Sequence, residues 1–138
     1  MLGIDFGERR IGLAVSDPTG TLATPLGTVE RRRGKRPPLG RLEEVAREVG
    51  AERLVMGLPL DLSGKENEWC AETRRVGVSL AERLGVPIDF VDERLTSVRA
   101  ERAIRSSDLP RSKREEKGRV DAAAAALILQ AWLDRPRP

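Results

Sequence analysis

The sequence contains no histidine, and that absence excludes a large part of enzyme chemistry. Ser-His-Asp and Cys-His nucleophilic catalysis, zinc sites built on H-E-x-x-H, and histidine general bases all need a residue this chain does not have. Any catalysis falls to carboxylates, metal ions, lysine or the backbone. Cysteine is nearly as scarce: the lone Cys70 rules out an intramolecular disulfide and any cysteine-cluster zinc site, so no oxidising compartment is required. Its expected place is a helix face. Long apolar runs are missing too, since no stretch approaches the roughly 18 residues that span a bilayer. Met1 leads straight into the strand-like MLGIDF rather than into a basic segment and an apolar leader. The expectation is a cytoplasmic protein with no membrane association.

Two phosphate-binding signatures are absent as well. GLPLDLSGKE has the look of a G-x-x-x-x-G-K-[ST] loop, but Pro59 stands where the first glycine belongs and Glu66 where the hydroxyl belongs. GIDFGERRIG carries glycines at 3, 7 and 12, a spacing that does not fit the G-x-G-x-x-G dinucleotide fingerprint. Those glycines fit a tight hairpin beside Asp5 better.

What the chain does have is charge. Of 138 residues 39% are apolar and 34% charged, the profile of a globular protein with a heavily charged surface and the length of one domain, taken as 1–138. The net charge of +3 is mild, but the cations are clumped in RRRGKR (Arg31 to Arg36) and across Arg99 to Arg119. Clumped cations suit a polyanion partner; each run taken alone is as readily a solvated loop.

Read for periodicity, MLGIDF and IGLAVSD predict a hairpin closed by the four residues Gly7-Glu8-Arg9-Arg10. After the Asp17-Pro18-Thr19-Gly20 turn, TLATPLGTV predicts a third antiparallel strand, which Pro25 places on an edge. Leu39, Leu42, Val45, Ala46 and Val49 share a helix face that stops at Gly50. RLVMGLP predicts a strand covered on both faces, followed by a polar loop at Asp61 to Glu66 and a long amphipathic helix ending near Leu84-Gly85. PIDFVDE predicts another strand, LTSVRAERAIR a helix, Ser106 to Glu116 a basic connection and Gly118 to Leu133 an alanine-rich helix. The fold class is α/β with a mixed five-stranded sheet, its first three strands antiparallel and the rest parallel, flanked by helices.

Acids stand out at three places along the chain. Asp5 interrupts an apolar strand, where a charge must be paired, solvated or metal-bound; capping of the adjoining turn is the plainer explanation. Asp92 and Glu93 end a strand, and ligand sites of open α/β sheets gather at the carboxyl ends of strands, although Asp92-Glu93-Arg94 would also serve as a surface ion cluster. Asp121 opens the otherwise apolar DAAAAALILQAW, where helix capping or the helix dipole is the ordinary account. Carboxylates from three distant segments in a chain without histidine suit oxygen-ligated Mg²⁺ or Mn²⁺ better than zinc. Two such ions about 4 Å apart would supply nuclease chemistry without another acid or base.

The blocks GIDFGERRIGLAVSD, VMGLPLDLSG, VDERLTSVRAE and KGRVDAAAAALIL, in this order from Met1 to about Trp132, resemble the YqgF/RuvX family of bacterial proteins. Its members are described as Holliday-junction resolvases and as nucleases of the 16S ribosomal RNA 5′ precursor. The resemblance implies an RNase H-like fold and carries the family's catalytic and metal-binding acids onto Asp5, Glu93 and Asp121, with Asp92 competing for the middle role. It departs from the RuvC resolvases in that the fourth strand ends in Gly57-Leu58-Pro59 without a carboxylate, and in that alanines follow Asp121. Arg9, Arg10, Arg94, Lys113, Arg114 and Lys117 are the expected contacts to nucleic acid. The implied partner is precursor rRNA or branched DNA, with the ribosome nearby and the chain a monomer or weak dimer. Alternatives are a DNA junction resolvase, a non-catalytic ribosome-associated RNA-binding module, and an actin-like ATPase, for which the chain has only one of the two domains needed to clamp a nucleotide.

Overall fold

The computed structural model describes residues 1–31, 36–60, 63–95 and 114–136, of residues 95 and 114–120 the backbone only. The elements run β1 (Leu2–Phe6), β2 (Arg10–Ser16), β3 (Ala23–Glu30), α1 (Leu39–Glu48), β4 (Leu54–Leu58), α2 (Glu68–Leu84), β5 (Ile88–Asp92), a 3-10 turn (Glu93–Leu95) and α3 (Arg114–Leu133). The five strands form one sheet in the order β3-β2-β1-β4-β5. β1 pairs antiparallel with β2, and β2 with β3, whereas β1-β4 and β4-β5 are parallel. This is the mixed sheet that the alternation of hairpins and helices predicts.

Side chains alternate across a strand, and the alternation sorts this sheet into two unlike faces. Leu2, Ile4, Phe6, Ile11, Leu13, Leu54 and Met56 form one face, packed against Leu42, Val45 and Ala46 of α1 and Val76, Leu80 and Ala81 of α2. Ala14 and Val55 belong to the other face, under Ala124, Ala125, Ile128, Leu129, Trp132 and Leu133 of α3. The first face is large and aliphatic. On the second, a Cβ built on Gly3 would lie 2.7 Å from the Leu129 Cβ, so the missing side chain lets α3 sit directly on β1. Alanines on the helix complete the close approach. Gln130 ties the helix to the sheet edge, accepting from the Ala23 amide at 2.8 Å and donating to the Thr21 carbonyl at 2.9 Å.

The helix boundaries follow local chemistry. Asn67 caps α2 by accepting from the Cys70 amide at 2.9 Å, and Gly85, at φ +66°, ends it in the left-handed conformation. Cys70 is buried in the same turn, with its thiol on the Pro59 carbonyl. Pro25 does lie on the edge strand; opposite it the ladder skips Leu26 between Leu13 and Ala14, a bulge that bends the edge.

Three boundaries differ from the sequence reading. The hairpin closes over Gly7-Glu8-Arg9, because Arg10 already pairs with Glu30 and its carbonyl accepts from the Gly7 amide at 3.1 Å. β5 stops at Asp92, and Glu93 starts the 3-10 turn. The last helix begins at Arg114 rather than Gly118, since the good helix formers Arg114 to Lys117 carry it through one unfavourable glycine. The helix expected at LTSVRAERAIR and most of the basic connection lie outside the described residues. Among those described, no helix is long and apolar enough to cross a membrane.

Candidate functional site

Asp5 occupies the last turn of alternation on β1, on the α3 face and only 3% exposed. Its partner across the antiparallel pair is Gly12. On the other side, the parallel register ends at Ile4 opposite Met56, and one further step brings Asp5 beside Gly57. Both neighbours of the buried carboxylate are therefore glycines, and each makes room for something specific. A Cβ on Gly12 would fall 2.1 Å from the Asp121 carbonyl oxygen; one on Gly57 would fall 2.8 Å from Glu93 Oε1 and 2.6 Å from Ile128 Cδ1. The first glycine lets α3 deliver Asp121 onto β2. The second opens the space filled by the Glu93 carboxylate, at the carboxyl ends of the parallel strands where ligand sites gather.

The same alternation separates Glu93 from Asp92. Val91 packs with the α3-face cluster and Phe90 with the opposite one, so Glu93 follows Val91 onto the side of Asp5. It is 3% exposed. Asp92 is turned to Arg94 instead: Oδ1 accepts from the Arg94 amide at 2.9 Å, and Oδ2 from its Nη2 at 2.7 Å. The guanidinium also lies against Gly64, where a Cβ would meet it at 3.0 Å. Arg94, expected on nucleic acid, thus closes the turn that projects Glu93 and ties it to the loop after β4.

Asp121 lies in the third turn of α3, seven residues beyond its start, and helix capping no longer accounts for it. Arg10 Nε donates to its Oδ2 at 2.9 Å, both side chains being partly buried. Among the described residues no three His, Cys, Asp or Glu side chains stand close enough together to hold a metal ion. Asp5 and Glu93 share one end of one face, whereas the Asp121 carboxylate is engaged by Arg10. The donor set consists of carboxylate oxygens, which suits hard divalent cations and not zinc.

The remaining basic positions divide. Arg9 is exposed on the hairpin loop, where its carbonyl accepts from the Arg31 amide at 2.8 Å. Arg114 and Lys117 fall in the first turns of α3, and Lys113 lies outside the described residues. Arg31, expected at the start of a basic run that meets a polyanion or solvent, belongs to the fold: its side chain is 4% exposed, lies 4.7 Å over the Phe6 ring and pairs with Glu72 at 3.6 Å. Phe6 in turn stacks on Trp69 at 5.2 Å. The roles of Gly12 and Gly57 and the Arg10–Asp121 pair escaped the sequence reading. The signal for Gly57 was present, as the missing carboxylate at the end of the fourth strand.

The RuvX family model, described as Holliday junction resolvase, matches residues 1–135 of the chain. A protein of Anaeromyxobacter dehalogenans (strain 2CP-C) is 44% identical over 137 residues, which cover 99% of this chain and 98% of the relative. A protein of Syntrophomonas wolfei is 42% identical over 134 residues, covering 97% and 93%. Both bear the provisional name of pre-16S rRNA nuclease. Among solved structures, T. thermophilus RuvC in complex with a Holliday junction substrate is similar, with a TM-score of 0.56 at 17% identity over 96% of this chain and 92% of that one. That likeness, with the strand order, makes the fold RNase H-like.

Proposed function

The chain belongs to the RuvX family, and from that premise we propose that it is a divalent-metal-dependent endonuclease whose Asp5, Glu93 and Asp121 hold the cations, and whose substrate is the 5′ end of precursor 16S rRNA. The observation that carries the proposal is the pair of glycines flanking Asp5: Gly12 admits the Asp121 backbone and Gly57 the Glu93 carboxylate. The identity of 42–44% to relatives named for pre-16S rRNA, over nearly their whole length, favours RNA as substrate. A hydrolase acting on phosphodiester bonds is what family and relatives together imply.

Hydrolysis joins a water oxygen to phosphorus and breaks one P–O ester bond, with the leaving oxygen taking up a proton. When bound, Mg²⁺ or Mn²⁺ supplies Lewis acidity at the phosphate and at the attacking and leaving oxygens. The chain's own part is placement. Asp5 and Glu93 are buried carboxylates, whose oxygens are donors of the kind that hold hard divalent cations. β1 and the Asp92–Arg94 turn fix where those carboxylates stand, and Arg10 donates to Asp121. Arg9 and the basic residues at the start of α3 would meet the phosphate backbone beyond the scissile bond.

A second reading, cleavage of four-way DNA junctions, is favoured by the family's description. It requires a dimer presenting two sites to a symmetric junction. The test is single-turnover cleavage of a 5′-extended 16S precursor and of a synthetic junction, with and without Mg²⁺, by the wild type and by Asp5→Asn. The proposal expects Mg²⁺-dependent cutting of the RNA that Asp5→Asn abolishes. Equal cutting by Asp5→Asn, or cutting of the junction alone, would overturn it.

A further inference from the structure

Arg10 occupies a position that a nucleic-acid contact alone does not explain. It begins β2, with its carbonyl held by the Gly7 amide at 3.1 Å and its backbone paired with Glu30. By alternation it shares the α3 face with Gly12, the residue whose missing side chain admits the Asp121 backbone. From there its Nε donates to Asp121 Oδ2 at 2.9 Å, the two side chains being 22% and 17% exposed. A partly buried carboxylate needs a compensating charge, and Arg10 supplies one from within the chain.

Resting on the reading of Asp5, Glu93 and Asp121 as the cation-holding set, we propose that Arg10 is a built-in counter-ion to the third carboxylate and must give it up for a divalent cation to be held by all three. Two facts support the exchange. Among the described residues no three acids stand together as a metal-holding group, and the Asp121 carboxylate is paired with arginine. Once released, a guanidinium at the rim of the site has a matching ligand in a phosphodiester, because its planar fork suits phosphate oxygens. Cation binding and phosphate capture are then coupled. Linkage requires the coupling to be reciprocal, so nucleic acid that engages Arg10 tightens cation binding by the same factor by which the cation tightens nucleic acid.

The test is Mn²⁺ binding, read from the electron paramagnetic resonance signal of the free ion. It compares the wild type, Arg10→Gln, Asp121→Asn and the double variant without nucleic acid, with thermal unfolding to establish that each is folded. Arg10→Gln should bind Mn²⁺ more tightly, by about fivefold, the scale of a partly shielded ion pair. Asp121→Asn should bind it more weakly, and Arg10→Gln should add nothing on that background. Unchanged or weaker binding by Arg10→Gln would mean that Arg10 merely orients Asp121. A gain that persists undiminished beside Asp121→Asn would be the general field of a lost cation; either result overturns the exchange. If Asp121→Asn binds Mn²⁺ as the wild type does, Asp121 is not a ligand, and the reading of the site falls together with the exchange. If Asp121→Asn weakens binding but Arg10→Gln does not tighten it, the exchange alone falls.

Discussion

The two faces of the sheet are built from the same strands by opposite means. Toward α1 and α2 the strands present Leu2, Ile4, Phe6, Leu13, Leu54 and Met56, large side chains that fill space and exclude water. Toward α3 the same strands present Gly3, Asp5, Gly12, Ala14, Val55 and Gly57, which leave space. The first face accounts for most of the aliphatic core, whereas the second uses the absence of side chains to bring a helix backbone and a distant carboxylate to a buried acid. On the proposed reading of the acids, stability and chemistry fall to opposite parities of one set of strands. Substitutions on one face should behave differently from substitutions on the other.

The largest effects belong to the acids. Asp5→Asn and Asp121→Asn should each lower single-turnover cleavage on the order of a thousandfold or more, and Asp121→Asn, which breaks the ion pair with Arg10, should lower the unfolding temperature slightly. A fall of many degrees would mean that these acids hold the fold. Next, Leu42→Ala on the filled face should cost about 2–5 kcal/mol of stability and leave cleavage per folded molecule unchanged, measured by denaturant unfolding beside active-site titration. Gly57→Ala inverts that pattern: overpacking against Ile128 should cost about 1–3 kcal/mol, and displacement of Glu93 should lower cleavage in molecules that remain folded. If Gly57→Ala only destabilises, the space over that glycine has no bearing on the chemistry.

A smaller effect is expected from the basic connection into α3. Lys113→Ala with Arg114→Ala should weaken nucleic-acid binding and flatten its salt dependence while sparing cleavage of bound substrate, since phosphate contacts act by counterion release. Binding isotherms across a salt series that coincide with the wild type would assign these residues to solvent.

The smallest effect lies at the far turn. Asp17 accepts from the Thr19 hydroxyl at 2.7 Å and from the Thr21 and Leu22 amides at 2.7 and 3.2 Å. These bonds, the Thr19 hydroxyl foremost, hold its carboxyl below the ordinary value of 3.8. A carboxyl whose pKa is lower when folded stabilises above its unfolded pKa, and the contribution fades as pH falls through the folded value. Asp17→Asn should therefore leave a slightly shallower loss of stability below pH 3.8, seen as a change in the pH dependence of the urea midpoint. An unchanged profile would mean that the turn bonds form equally in the unfolded chain.

The filled face was legible in the sequence because it is periodic. Leu42, Val45 and Ala46 recur at helical spacing, and the strand alternation of β1 and the apolar run of β4 mark their elements directly. Asp5 and Asp121 stand out in the sequence as charges in apolar surroundings, and Asp92 and Glu93 as acids at a strand's end. Their arrangement was not legible, because it depends on residues that signal by having no side chain: Gly12 and Gly57 look like turn or bulge formers until the neighbouring strand and helix are in place. Arg31 misled for the opposite reason. It belongs to a basic run, but a long side chain at a strand's end can turn inward onto Phe6 and Glu72. Asp121 was read as a possible cap because Gly118 looked like a start, and four more residues of helix removed that explanation.

The assignment of parity at the end of β5 bears most directly on the account, because Asp92 and Glu93 are adjacent acids placed on opposite faces. Single-turnover cleavage of a 5′-extended 16S precursor in saturating Mg²⁺ should be measured for Glu93→Gln and Asp92→Asn side by side. The account predicts that Glu93→Gln is inactive, whereas Asp92→Asn, which only loosens the Arg94 turn, keeps activity within about 10–100-fold of the wild type. Retained cleavage by Glu93→Gln together with its loss in Asp92→Asn would contradict it.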